Sequence, residues 1–232
     1  MRLFFTLIMV LIGYAGVYAE GVMVGSVMTS FPSISIAGAN MSGVGRTTSS
    51  HLSVGSYTPL ALIEYSHTSY PPLRGQIIAD KKTFGEASLV EKDGDVLPVS
   101  CSMSRQSVYV GLPIYRDPIA NLYLNVGHEW NRMSIELTPT KKDAQPLSAD
   151  SSLNTFTVGG LAELALGNGF SLLCEARGGC NARRFGVFVS KIIDPSWSVS
   201  VGWCTERTLY VFDLFDVDIS DRGFVLSIEI QL

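Results

Sequence analysis

The chain closes on FVLSIEIQL, in which Phe224, Leu226, Ile228, Ile230 and Leu232 alternate with Val225, Ser227, Glu229 and Gln231. Side chains two residues apart share one face of a strand, whereas an α-helix sets its apolar stripe at three and four. The same period recurs upstream. Trp197, Val199, Val201 and Trp203 alternate with Ser198, Ser200, Gly202 and Cys204, and Phe185, Val187 and Val189 repeat the pattern. Val108 to Ile114, Leu122 to Val126, Met133 to Leu137, Phe156 to Leu166 and Phe170 to Cys174 do so as well. No segment holds helical spacing over several turns, so the sequence predicts an all-β fold.

Turn signals separate the runs. Gly167-Asn168-Gly169 reads as a tight hairpin and Asp194-Pro195 as a second turn. One strand is expected between Leu52 and Tyr65 and another within Val22 to Ile36; Asn40 to His51, Asp80 to Asp95 and Thr140 to Leu153 read as longer loops. About eight to ten strands joined mostly by short turns fit an antiparallel up-and-down meander in one domain, the size that 232 residues allow.

Only 16 % of residues are charged, against about a quarter in ordinary domains, and the mean hydropathy is +0.27. The net charge of −4 and the lack of a basic aromatic patch argue against a nucleic-acid surface. Part of the apolar excess lies in MRLFFTLIMVLIGYAGVYAE, where Arg2, the stretch Leu3 to Ile12 and Val17-Tyr18-Ala19 have the order of a secretory signal peptide. Residues 1–19 are expected to be removed, leaving 20–232 as the folded domain. An exported chain permits disulfides among Cys101, Cys174, Cys180 and Cys204, and the turn-like segment from Glu175 to Gly179 is able to bring Cys174 and Cys180 together.

Alternation suits both a soluble barrel or sandwich and a transmembrane barrel. The polar phase discriminates between them. It consists mainly of Ser, Gly, Thr and Asn, and Lys81, Lys82, Lys92, Lys141 and Lys142 fall in predicted loops. Trp130, Trp197, Trp203, Tyr115 and Phe224 lie at strand ends, where aromatic girdles form. A closed barrel also lets an apolar chain cross lipid without a long apolar run, because each strand needs only about ten residues and closure pairs every backbone group.

The final strand, with Phe224, Leu226, Ile228, Ile230 and Leu232 on one face, resembles the C-terminal assembly signal of bacterial outer-membrane β-barrel proteins, although that family usually ends in Phe or Trp where Leu232 stands. The whole chain from 20 on is similar to small barrels of the OmpA transmembrane type and to surface antigens of the Anaplasma and Ehrlichia type. For the antigens, the likeness is carried by NVGHEWNRMSIEL, Asn125 to Leu137. The resemblance implies insertion by the barrel assembly machinery, a lipid-facing outer surface, loops offered to host or envelope partners, and no cofactor.

With one phase inside, the expected barrel-interior charges are Glu129, Arg132, Glu136, Glu163, Glu175, Arg184, Asp213 and Glu229. Isolated charges in a narrow lumen are costly, so arginines and acids should pair or meet water. Eight strands would be filled by side chains, and more would leave room for an acid-lined, cation-favouring channel.

His67 and Ser69 share a strand face, resembling the His-x-Ser of outer-membrane lipid A deacylases, but the pair comes early in the chain and the next acids are Asp80 and Glu86. The run DLFDVDISD lacks the glycine and glutamate of a calcium loop. No phosphate loop or dinucleotide fingerprint is present. The sequence thus predicts a non-enzymatic outer-membrane barrel, structural, adhesin-like or a small pore. Its alternatives are a soluble exported β-protein that binds an apolar ligand and a barrel lipid hydrolase.

Overall fold

The structure, a computed structural model, describes residues 20–57, 60–84, 89–141 and 143–232; the expected signal peptide lies outside them. Thirteen strands follow in order: β1 (Glu20–Ser30), β2 (Ser33–Ile36), β3 (Ala39–Asn40), β4 (Thr47–Tyr57), β5 (Leu62–Ser69), β6 (Leu73–Ala79), β7 (Asp95–Arg116), β8 (Ala120–Leu137), β9 (Leu147–Gly167), β10 (Phe170–Gly179), β11 (Ala182–Asp194), β12 (Trp197–Val211) and β13 (Asp216–Gln231). One short helix, α1 (Lys81–Phe84), precedes β7.

Ten of these strands, β1, β4, β5 and β7 to β13, form an antiparallel ring that closes where β1 pairs β13, from Val22↔Gln231 to Ser30↔Gly223. The expected all-β antiparallel barrel is the observed fold. Closure leaves no sheet edge in this part of the molecule, as lipid requires.

At the end that holds Gly21 and Leu232 the connections are tight. Asn168 and Gly169 join β9 to β10 with φ of 52° and 73°, the two left-handed residues of a type I′ hairpin that the Asn-Gly sequence favours. Between β7 and β8 the Asp117 carboxylate accepts the amides of Ile119 at 2.7 Å and Ala120 at 2.8 Å. The Tyr115 hydroxyl and these amides hold the Asp117 carboxyl below its usual range.

At the opposite end β7, β8, β9, β12 and β13 run on past the ring. There β6 pairs β7, β2 pairs β13, and a Ser42↔Gln76 bridge links the two additions. Ser151 Oγ donates to the Val211 carbonyl at 2.9 Å and ties β9 to β12. The result is a lobe with its own apolar core, containing Ile34, Ile36, Ile77, Leu97, Val99, Cys101, Met133, Ile135, Leu137, Val217 and Ile219. Burial among these groups pushes the Cys101 thiol up to about 12.

Barrel and lobe share strands but have opposite polarity. On β8, Leu122, Leu124, Val126, His128 and Trp130 face outward, and Tyr123, Asn125, Gly127, Glu129 and Asn131 face the lumen. Facing continues unchanged above Asn131, yet Met133, Ile135 and Leu137 now point inward and Arg132, Ser134 and Glu136 outward. On β13 likewise, Leu226 is 55 % exposed on the outer face while Val217, on the inner face of the lobe, is fully buried. Lipid demands an apolar exterior and water a polar one, so the pattern inverts where the strand leaves the membrane. From Leu122 to Trp130 the apolar belt is about 20 Å high at a rise of about 3.4 Å per residue and a tilt of about 40°.

Several sequence expectations are corrected here. Leu52 to Tyr65 is two strands, β4 and β5, and Leu147 to Leu153 belongs to β9. The segment Glu175 to Gly179 is strand β10, which separates Cys174 from Cys180 by about 20 Å. All four cysteines are free.

Candidate functional site: the barrel lumen

Alternation delivers one residue in two from each strand to the lumen, and charged groups from six walls meet there. Arg105 on β7 donates from Nη1 to Glu206 Oε2 on β12 at 2.8 Å, from Nε to Asn131 Oδ1 at 2.8 Å and from Nη2 to Thr208 Oγ1 at 3.2 Å. The Tyr70 hydroxyl adds a second contact to Glu206, at 3.0 Å. Arg184 Nη1 on β11 takes the other oxygen of Glu206 at 3.1 Å, and its Nε donates to Glu175 Oε1 at 2.5 Å.

Arg177 and Arg184 stand directly opposite each other on β10 and β11. Like charges in that position repel. Glu175 relieves the repulsion, because its second oxygen lies 3.3 Å from Arg177 Nη2. Arg177 also covers the Tyr109 ring at 3.9 Å and approaches Glu64 at 4.0 Å, and the Tyr109 hydroxyl donates to Glu129. Each arginine side chain is at most 23 % exposed. Carboxylates and guanidiniums so enclosed are tolerable only when paired, and here Arg177 Nε and Glu129 Oε2 alone of the layer's charged atoms are buried without a hydrogen-bond partner among the described residues.

This layer divides the lumen. On the side of the chain ends a cavity of about 660 Å³ is lined by Glu163, Glu229, Asn121, Tyr123, Ser190 and Ser198 among others. Within the layer, next to Glu129 and His51, there remains about 170 Å³, and beyond Arg105 and Glu206 about 20 Å³. Above that the apolar lobe core fills the interior.

Of the charges assigned to the interior from sequence, Glu129, Glu175 and Arg184 lie in the ion-pair layer, and Glu163 and Glu229 line the larger cavity. Arg132 and Glu136 are corrected: they sit on the outer face of β8 above the belt, because polarity has inverted there. Asp213 is corrected as well, being exposed in the turn between β12 and β13. Phe224, Leu226, Ile228 and Ile230 occupy the outer face of β13, and Leu232 follows it, donating its amide to the Gly21 carbonyl at 2.8 Å.

His67 and Ser69 lie on the outer face of β5; His67 stands between Leu52 and Gln106, with no acid opposite. Asp216, Asp218 and Asp221 belong to β13; Arg207 pairs with Asp218, and Ser30 Oγ donates to Asp221 at 3.0 Å. Among the described residues no group of acids, histidines or cysteines is arranged to hold a metal.

Sequence reasoning missed Arg105, Tyr109, Arg177, Glu206 and Glu64. Arg105 precedes the run from Val108 to Ile114, and Glu206 falls between the runs that end at Cys204 and begin at Phe224. Only continuation of the alternation through Cys204, Glu206 and Thr208 signals its inward facing.

A closed ring of ten antiparallel strands with an apolar belt, exposed aromatic residues on its outer face and a polar lumen defines the outer-membrane type of β-barrel. No protein-family profile and no curated protein matches the sequence. Among solved structures, the fold is similar to that of the outer membrane protease OmpT from Escherichia coli, with a TM-score of 0.57 and 8 % identity over 92 % of this chain and 96 % of that one. Other matches are the transport unit of the autotransporter AIDA-I from Escherichia coli, at 0.46 and 9 % over 92 % and 90 %, and Neisserial surface protein A, at 0.44 and 10 % over 92 % and 99 %. At these identities the likeness concerns the fold.

Proposed function

We propose that the chain is a sealed, non-enzymatic barrel of the bacterial outer membrane whose role is carried by the lobe it holds above the bilayer, as a surface-exposed structural or adhesin-like protein. The carrying observation is the pair of plugs in series: the layer around Arg105, Glu206, Arg184, Glu175 and Arg177, and the apolar core from Ile34 to Ile219. Short turns at the end with the chain ends and long connections at the other favour a periplasmic vestibule and an extracellular lobe. Export by a signal peptide at 1–19 and insertion by the barrel assembly machinery belong to the same reading.

Hydrolysis is disfavoured by placement. His67 and Ser69 point outward from β5 with no acid opposite His67, and the His51 Nδ1–Thr68 Oγ1 contact of 2.9 Å lies in the 170 Å³ cavity, below the size of ordinary ligand pockets. Conduction is disfavoured by the plugs.

Fractionation tests the reading. The protein should remain sarkosyl-insoluble, run faster unheated than heated in detergent gels, and lose lobe segments near Lys81, Lys82 and Lys92 to trypsin on intact cells. A soluble periplasmic protein, or a lobe cut only after cell lysis, would contradict it.

A further inference from the structure

The lumen carries an unbalanced half. The ion-pair layer uses its arginines on Glu206, Glu175 and Glu64, whereas the side-chain carboxylate of Glu229 on β13 has no ion pair or hydrogen bond among the described residues. Glu229 lies within electrostatic reach of Glu163 on β9 and of Glu64 on β5, three walls spaced around the ring. Among the described residues the Glu163 carboxylate is met only by Asn121 Nδ2, at 3.2 Å. Both Glu229 and Glu163 face the 660 Å³ cavity, which opens at the end with the chain ends.

The walls add neutral acceptors. Ser190 and Ser198 line the cavity at 7 % and 9 % exposure, and neither hydroxyl has a partner among the described residues. Arg116, the cation in the lining, lies over the Tyr123 ring at 5.4 Å, at the mouth. Leu161, Leu173 and Ile192 give the same cavity apolar stretches. A lining in which Glu163, Asp194 and Glu229 outnumber Arg116, with buried hydroxyls that have open acceptor sites and apolar wall between them, is complementary to a chain of methylenes bearing ammonium groups. An ammonium offers three donors, enough for a carboxylate and a hydroxyl together. The cavity volume is within the range of pockets that enclose small organic ligands.

We propose that this vestibule is a binding site for linear aliphatic polyamines, with Glu163 and Glu229 pairing ammonium groups and Ser190 and Ser198 accepting their remaining hydrogens. The assignment holds whether or not the barrel is sealed, since the site lies below the ion-pair layer.

Calorimetric titration of the detergent-folded full chain with spermidine tests it. Saturable binding at one site is expected, with none for an uncharged diol of like length. Affinity should fall about tenfold or more in Glu163→Gln/Glu229→Gln, the loss of a charge-assisted contact. Heat-modifiable migration reports whether that variant is folded; if it is not, the comparison of amine with diol on the unaltered protein decides alone. Absence of saturable binding, equal binding of the diol, or undiminished affinity in the folded double variant would overturn the proposal.

Discussion

Arg105 Nη1 and Glu206 Oε2 meet at 2.8 Å across the lumen, joining β7 to β12 from positions 101 residues apart in the chain. Their side chains are 11 % and 8 % exposed, so neither charge has much water to fall back on. Removing one partner leaves the other stranded, whereas removing both does not. Arg105→Met should cost about 3–5 kcal/mol, and Arg105→Met with Glu206→Gln distinctly less. Urea unfolding in lipid vesicles measures both, and a single variant no worse than the double would refute the assigned coupling.

Polarity inversion on continuous strands makes a paired forecast. Leu226→Arg sets a charge in the apolar belt and should destabilise by about 2–4 kcal/mol. Ser220→Arg, six residues earlier on the same face of β13, lies on the watered exterior of the lobe and should be nearly neutral. Equal costs would mean that the belt extends over the lobe.

Gly127 is required by the Tyr109 ring. A Cβ there would overlap the Tyr109 ring and crowd the Val108 carbonyl, so Gly127→Ala must push the ring away from both Glu129 and Arg177. Overpacking of this kind costs about 1–3 kcal/mol. The loss should appear in the same unfolding assay, and Tyr109→Phe, which keeps the ring but not the hydroxyl, should show a smaller one.

Thiol reactivity maps sidedness. Cys180 is exposed in the β10–β11 turn on the lobe side, Cys101 and Cys204 are buried, and Cys174 lies on the lipid-facing side of β10. A membrane-impermeant maleimide on intact cells should label Cys180 alone. Cys101, whose thiol burial holds at about 12, should react only after unfolding. Labelling of Cys180 only in opened cells would place the lobe in the periplasm.

The barrel was legible because lipid and lumen impose period two along every wall, clearest from Phe224 to Ile230. The lobe was not, because its strands keep that period while exchanging which parity is apolar. Val126 and Met133 are both apolar and differ in parity, and sequence offers no sign that one unbroken strand links them rather than a turn. Arg132 and Glu136 were therefore assigned to the lumen although they face water. Glu175 and Arg184 could be assigned from local alternation. Their partners Glu206 and Arg105 could not, since only ring closure brings β12 and β7 within reach. The strand extensions escaped notice for the same reason: Leu147, Ala149 and Leu153 pack on a core assembled from distant segments.

Planar-bilayer recording of the folded protein tests the sealed lumen most directly. The account predicts a membrane that stays at its baseline current, with steps appearing only when the ion-pair layer and the lobe core are both disrupted, as in Arg105→Ala/Arg184→Ala combined with deletion of Leu73–Asp95. Stable, cation-selective current steps from the unaltered protein would contradict it.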